Sequence, residues 1–184
     1  NEDYRALLLN LRQQVIEGSR WIGRAASNLS PTYEDLRSLF VKHTAAEHRD
    51  FLLLERDYAA TGADPALMTT TPKNIGSEAL SAFMYHTASP PAPIGMLGAM
   101  FIIEGLGHRL ADPWAERIKE QLSLGDEAVR FLKYHGEGDD DHMEMFDNAL
   151  AMVVTDDAMA DDVVRHAKIV ARLYRLQLEE LDNV

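Results

Sequence analysis

The sequence predicts an all-α protein, a single-domain bundle of about seven helices over residues 1–184. Three observations lead there. No stretch alternates apolar and polar residues for long enough to make a convincing strand. Apolar residues recur instead at three- and four-residue spacing. Proline and glycine stand where those stripes stop, as they do at helix ends.

The elements follow in order. Tyr4, Leu8, Leu11 and Val15 make the stripe of a first helix that runs past Gly18 and Trp21 to Ala26. Ser30-Pro31 is an N-cap followed by proline at the first helical position. The long second helix it starts reaches about Ala60, with Gly62 as C-cap. Thr71-Pro72 repeats the start signal for a helix to His86. After the Ser89-Pro90-Pro91 connector a fourth helix covers about Ala92 to Leu110. Asp112-Pro113 starts a shorter one ending near Leu124, and Gly125-Asp126 opens the next. Beyond Asp156-Asp157 the last helix carries Val163, Ala167, Val170, Tyr174 and Leu181 on one face.

Composition narrows the function. Hydrophobic residues make up 46% of 184, enough for a real core. The formal net charge of −12 argues against a nucleic-acid or anionic-membrane partner, since both need basic patches. The absence of cysteine removes thiolate nucleophiles, Cys-type zinc sites and iron–sulfur clusters. It also fits a reducing cytoplasm, where this reading places the protein. The longest apolar run, Ile94 to Ile103, is too short to span a bilayer. The opening NEDYRALL is not a signal peptide.

The chemistry lies in three helical stripes, each apolar at its ends and polar in its middle. One reads Ala128, Leu132, His135, Asp139, His142, Phe146, Ala149, Val153. The second helix gives Leu36, Phe40, His43, Glu47, Asp50, Leu54, and the fourth gives Leu97, Phe101, Glu104, His108, Ala111. Imidazoles and carboxylates turned toward a core need something to bind, and a metal is the commonest such thing. Helical bundles build metal sites from facing helices in this way. The thiolate-free donor set suits iron or manganese, with zinc an alternative. Eight candidates exceed what one metal uses and suit two metals bridged by carboxylates. Each has a bland alternative: the 137–141 run as a solvated acidic face, Glu47 in a surface salt bridge, His108 as a helix-end cap. His86 and His166 read as ordinary surface or interface histidines. Met84, Met96, Met100, Phe101 and Tyr134 are the residues expected around any pocket.

An all-helical chain with a late HxxxDxxH helix (His135, Asp139, His142) resembles the heme-oxygenase-like diiron oxidases. These are often labelled iron-containing redox enzymes, within the TenA/PqqC/heme-oxygenase superfamily. Glu104 in GAMFIIEG matches that family's carboxylate on its second ligand helix, and HTAAEHRDFLLLERDYAATG resembles the first ligand helix and its turn. The family supplies Glu and, seven residues later, His; here that spacing carries His43 and Asp50, with Glu47 between. The resemblance implies a heme-oxygenase-like fold and two non-heme iron ions held among His43, Glu47, Asp50, Glu104, His135, Asp139 and His142. It also implies dioxygen and a small organic molecule as substrates, and a homodimer by family habit.

Rival readings stay open. HTAAE resembles the proximal segment of heme oxygenases and GAMFIIEG their distal helix, so heme with His43 as axial ligand is one. It leaves His135, Asp139 and His142 without a role, and offers only Lys42, Arg49 and Arg109 to the propionates. A non-catalytic helical module with a structural metal is another. Thiaminase-type relatives need a cysteine nucleophile, which this chain lacks.

Overall fold

Two apolar clusters organise the molecule, and the first helix runs through both. The computed structural model describes residues 1–138 and 140–183, the side chains of 137–143 excepted. Among the described residues there is no strand. The helices are α1 (Glu2–Asn28), α2 (Glu34–Glu47), α3 (Phe51–Ala60), the single turn α4 (Leu67–Thr70) and α5 (Ile75–Thr87). They continue as α6 (Met96–Leu122), α7 (Arg130–Gly138), α8 (Asp140–Val153) and α9 (Asp157–Glu179). No helix is long and apolar enough to cross a membrane among the described residues.

The N-terminal half of α1 puts Tyr4, Leu8 and Leu11 into a cluster with Leu54, Tyr58, Ala115 and Leu132. Its C-terminal half puts Trp21 and Ile22 into a second cluster with Phe40, Met84, Met100, Phe146 and Val170. Helix α1 packs on α2, α3 and α5, while α6 packs on α7 and α9. The α6–α9 approach is so close that a Cβ at Gly98 would collide with the Val163 carbonyl, so only glycine fits there.

The boundaries depart from the expectations at several places: α6 starts at Met96 rather than Ala92, and where one helix is expected from Gly125-Asp126 a 3-10 turn (Asp126–Ala128) precedes the separate α7 and α8. The second helix is not continuous: α2 ends at Glu47, and α3 starts at Phe51. Between them Asp50 N–H bonds the Glu47 carbonyl and Leu53 N–H bonds the Asp50 carbonyl, so i→i+3 bonding tightens the turn. The break expected at Asp112-Pro113 does not occur, and α6 runs through Pro113. Ala111 and Ala115 are buried on either side of it, and that packing outweighs the single lost backbone bond. The helix expected from Pro72 starts at Ile75, capped by Asn74, whose side chain accepts from Ser77 N–H at 2.7 Å.

Candidate metal centre

Between the two apolar clusters lies a polar layer. Phe40 belongs to one cluster and Leu54 to the other, and His43, Glu47 and Asp50 come between them along the chain. Glu104 stands likewise between Met100 and Ala111 on α6. Helix α7 brings His135 one turn beyond Phe131.

Five of the expected residues converge there. His43, Glu47 and Glu104 form one triad, and Glu47, Asp50 and His135 form another. In each, one ligand atom per residue lies within 4.8 Å of the others, and Glu47 belongs to both. His43 Nε2 is 3.1 Å from Glu104 Oε1, with both side chains buried. The Phe146 ring meets His43 edge-on at 5.9 Å, which ties α8 to this triad. His135 Nε2 is 3.5 Å from Asp50 Oδ2, a buried oxygen without a hydrogen bond. His135 Nδ1–H donates to the Phe131 carbonyl at 2.9 Å, which leaves the Nε2 lone pair of the neutral ring facing the carboxylates. The Phe131 ring stacks against it at 4.1 Å.

The electrostatics are those of carboxylates crowded together in a buried site. Burial pushes the Glu47 carboxyl up to about 7. Glu104 and Asp50 add to the rise, against the opposing pull of His43 and His135. Burial alone would lower the His135 imidazole, but contact with Asp50 and Phe131 and the charge of Glu47 turn the net shift upward. Three carboxylates and two imidazoles, with one carboxylate oxygen buried and without a hydrogen bond, fit a site for divalent metal.

His108 falls in neither triad. Asp139 and His142 lie outside the described residues. Of the expected pocket residues, Met84 and Met100 line a cavity of about 120 Å³ that also reaches Glu47, Glu104 and His135. Met96 is fully buried core instead, Phe101 packs against that core, and Tyr134 is exposed. His86 is exposed, and His166 packs on Phe83.

The sequence reading missed Asp57. It is fully buried, and its Oδ2 accepts Phe131 N–H at 2.8 Å, in the first turn of α7. Burial pushes its carboxyl up to about 6, opposed by the Phe131 and Arg130 backbone bonds. Asp50 and Asp57 are two turns apart on one face, so α3 grips α7 through Phe131 N–H while Asp50 meets His135. That seven-residue acid pair, with Leu54 between, was the available signal.

Fold and donor set together define a helical-bundle protein whose central polar layer can hold metal ions. The sequence profile of the family described as iron-containing redox enzymes matches residues 42–175, and the chain belongs to that family. Its fold is similar to the crystal structure of a domain of unknown function with a heme oxygenase-like fold from Shewanella denitrificans. The TM-score is 0.89 at 20% identity, covering 97% of this chain and 77% of that one. Among curated proteins none matches.

Proposed function

We propose that the protein is a non-heme diiron oxidase or oxygenase that uses dioxygen to oxidise a small organic substrate. The observation that carries the reading is that Glu47 belongs to both triads. With Glu47, His43 and Glu104 would hold one iron, and Asp50 and His135 the other. Asp139 and His142 are assigned to the same set by the family spacing alone. Iron bound there would supply the electrons and open coordination positions that dioxygen chemistry needs.

The chain's own contribution is positional. Phe131 holds the His135 tautomer through its carbonyl. Glu47 stays protonated up to about pH 7 without metal and releases that proton when a cation binds. The cavity beside the carboxylates is lined mostly by apolar side chains, which suits an apolar part of a substrate.

Heme is the less favoured cofactor. His43 Nε2, its axial candidate, already meets Glu104, and the adjoining cavity of about 120 Å³ is small for a porphyrin. The test is metal analysis after anaerobic Fe(II) loading, then oxygen uptake. Two irons per chain and rapid uptake support the reading. A Soret band on adding hemin, lost in His43→Ala, would replace it with the heme reading.

A further inference from the structure

The chain has six tyrosines, and five of them pack into the two apolar clusters. Tyr4 and Tyr58 are buried in one, Tyr33 and Tyr85 lie against the other, and Tyr174 touches both. The sixth, Tyr134, belongs to neither cluster and is 57% exposed.

An exposed aromatic ring by itself needs no explanation. The neighbour sets this one apart. The Tyr134 ring meets the His135 ring edge-on, with centroids 5.2 Å apart. His135 in turn faces Asp50 and Glu47 in its triad. A solvent-facing phenol therefore stands one ring contact from a residue of the candidate metal centre. At the other triad the ring edge-on to His43 is Phe146, which is fully buried and has no hydroxyl to lose.

The chemistry of a phenol gives that contact a use. Without cysteine, the side chains from which a strong oxidant most readily draws one electron are tyrosine and tryptophan. A tyrosine that loses an electron also sheds its hydroxyl proton, so it needs somewhere to put it. Solvent takes the proton at Tyr134. The rings on the cavity side are worse placed. Burial, with the charge of Glu104 adding to it, pushes Tyr174 up to about 12 against a bond from Gln14, so its proton is held. Trp21 Nε1 is buried and without a hydrogen bond, so no base adjoins it.

We propose that Tyr134 is a one-electron outlet of the metal centre, oxidised through His135 to a surface tyrosyl radical when dioxygen reacts with no organic substrate bound. The proposal rests on the diiron reading. Its electrons balance. Reduction of dioxygen to two waters takes four electrons. The iron pair supplies two, a further ferrous ion in solution supplies one, and Tyr134 supplies the last as its O–H bond breaks. The tyrosine proton joins three from water. The radical left behind lies on an exposed ring, which makes Tyr134 a site of oxidative modification.

The test maps where the electron comes from. Protein loaded with Fe(II), with ferrous ion in slight excess and no organic substrate, is mixed with oxygenated buffer containing a nitroso spin trap. Its peptides are then analysed by mass spectrometry. The expected result is a trap adduct on the peptide carrying Tyr134, and a tyrosyl signal in electron paramagnetic resonance when the sample is frozen without trap. Tyr134→Phe keeps the ring beside His135 and removes the hydroxyl, so it should bind as much iron as the parent and lose the adduct. Tyr174→Phe should keep the adduct. Protein loaded with redox-inert Zn(II) should form none. Adduct chiefly on Tyr174, Trp21 or any residue other than Tyr134 overturns the inference, as does equal labelling of Tyr134 with Zn(II). Two irons per chain and rapid oxygen uptake with no adduct overturns the outlet and spares the metal centre. A chain that takes up no iron overturns both.

Discussion

The two triads share Glu47 but are built differently. His43 and Glu104 project from within long helices, α2 and α6, and the apolar residues beside them pack into the larger cluster. Their contact is 3.1 Å. Asp50 sits instead in the tightened turn between α2 and α3, and His135 in the last turn of the short α7. Their contact is 3.5 Å, and α7 is held from behind by Asp57. The first pair stands inside longer helices, and the second stands on a tightened turn and a short helix that Asp57 helps to hold. The first should bind its ion more tightly, because fewer of its parts must be ordered when the ion arrives.

The largest effect that can break this comparison is at the shared residue. Glu47→Ala should lose both ions, falling from two irons per chain to near none in metal analysis, while the helical circular dichroism persists. The halves separate next. His135→Ala should keep about one iron per chain, and so should His43→Ala, with the retained ion removed more readily by a chelator in His43→Ala. Equal chelator rates would erase the asymmetry.

Asp57 tests the supporting bonds. Asp57→Ala leaves the buried Phe131 N–H without its acceptor, which costs about 1–3 kcal/mol in a denaturant melt. Iron should be lost from the Asp50–His135 half before the other. Asp57→Asn keeps an acceptor oxygen and should behave nearly as the parent. A melt that falls while both irons stay would reduce Asp57 to a structural role.

The smallest effect is in pH. The folded carboxyls of Glu47 and Asp57 titrate near 7 and 6, above their ordinary values of 4.5 and 3.8. His135 is also raised. A raised folded value means stability is present below the ordinary value and is lost as pH rises through the folded one. The metal-free protein should therefore melt progressively lower from about pH 4 to pH 7. The metal-loaded protein should not follow, since the ions hold Glu47 ionised. A metal-free melting temperature that rises over that window contradicts the assignment.

Much of this was legible in the sequence. The polar interruptions at His43–Glu47–Asp50, Glu104 and His135 showed because a carboxylate or imidazole on an apolar stripe is conspicuous at helical spacing. Gly62 showed as a C-cap, and it adopts φ +79°. The turn at residues 48–50 did not show, since its residues keep helical dihedrals and only their bonding shortens. Pro113 misled because its local signal was overruled by the burial of Ala111 and Ala115. Asp57 was hidden for a different reason: its meaning depends on a partner more than seventy residues away.

The most direct test of the central claim is the iron count of parent and Glu47→Ala protein, loaded with Fe(II) under nitrogen, desalted and analysed side by side. Two irons per chain in the parent and none in the variant is the predicted result. A parent that saturates at one, or a variant that keeps two, would contradict a centre bridged by Glu47.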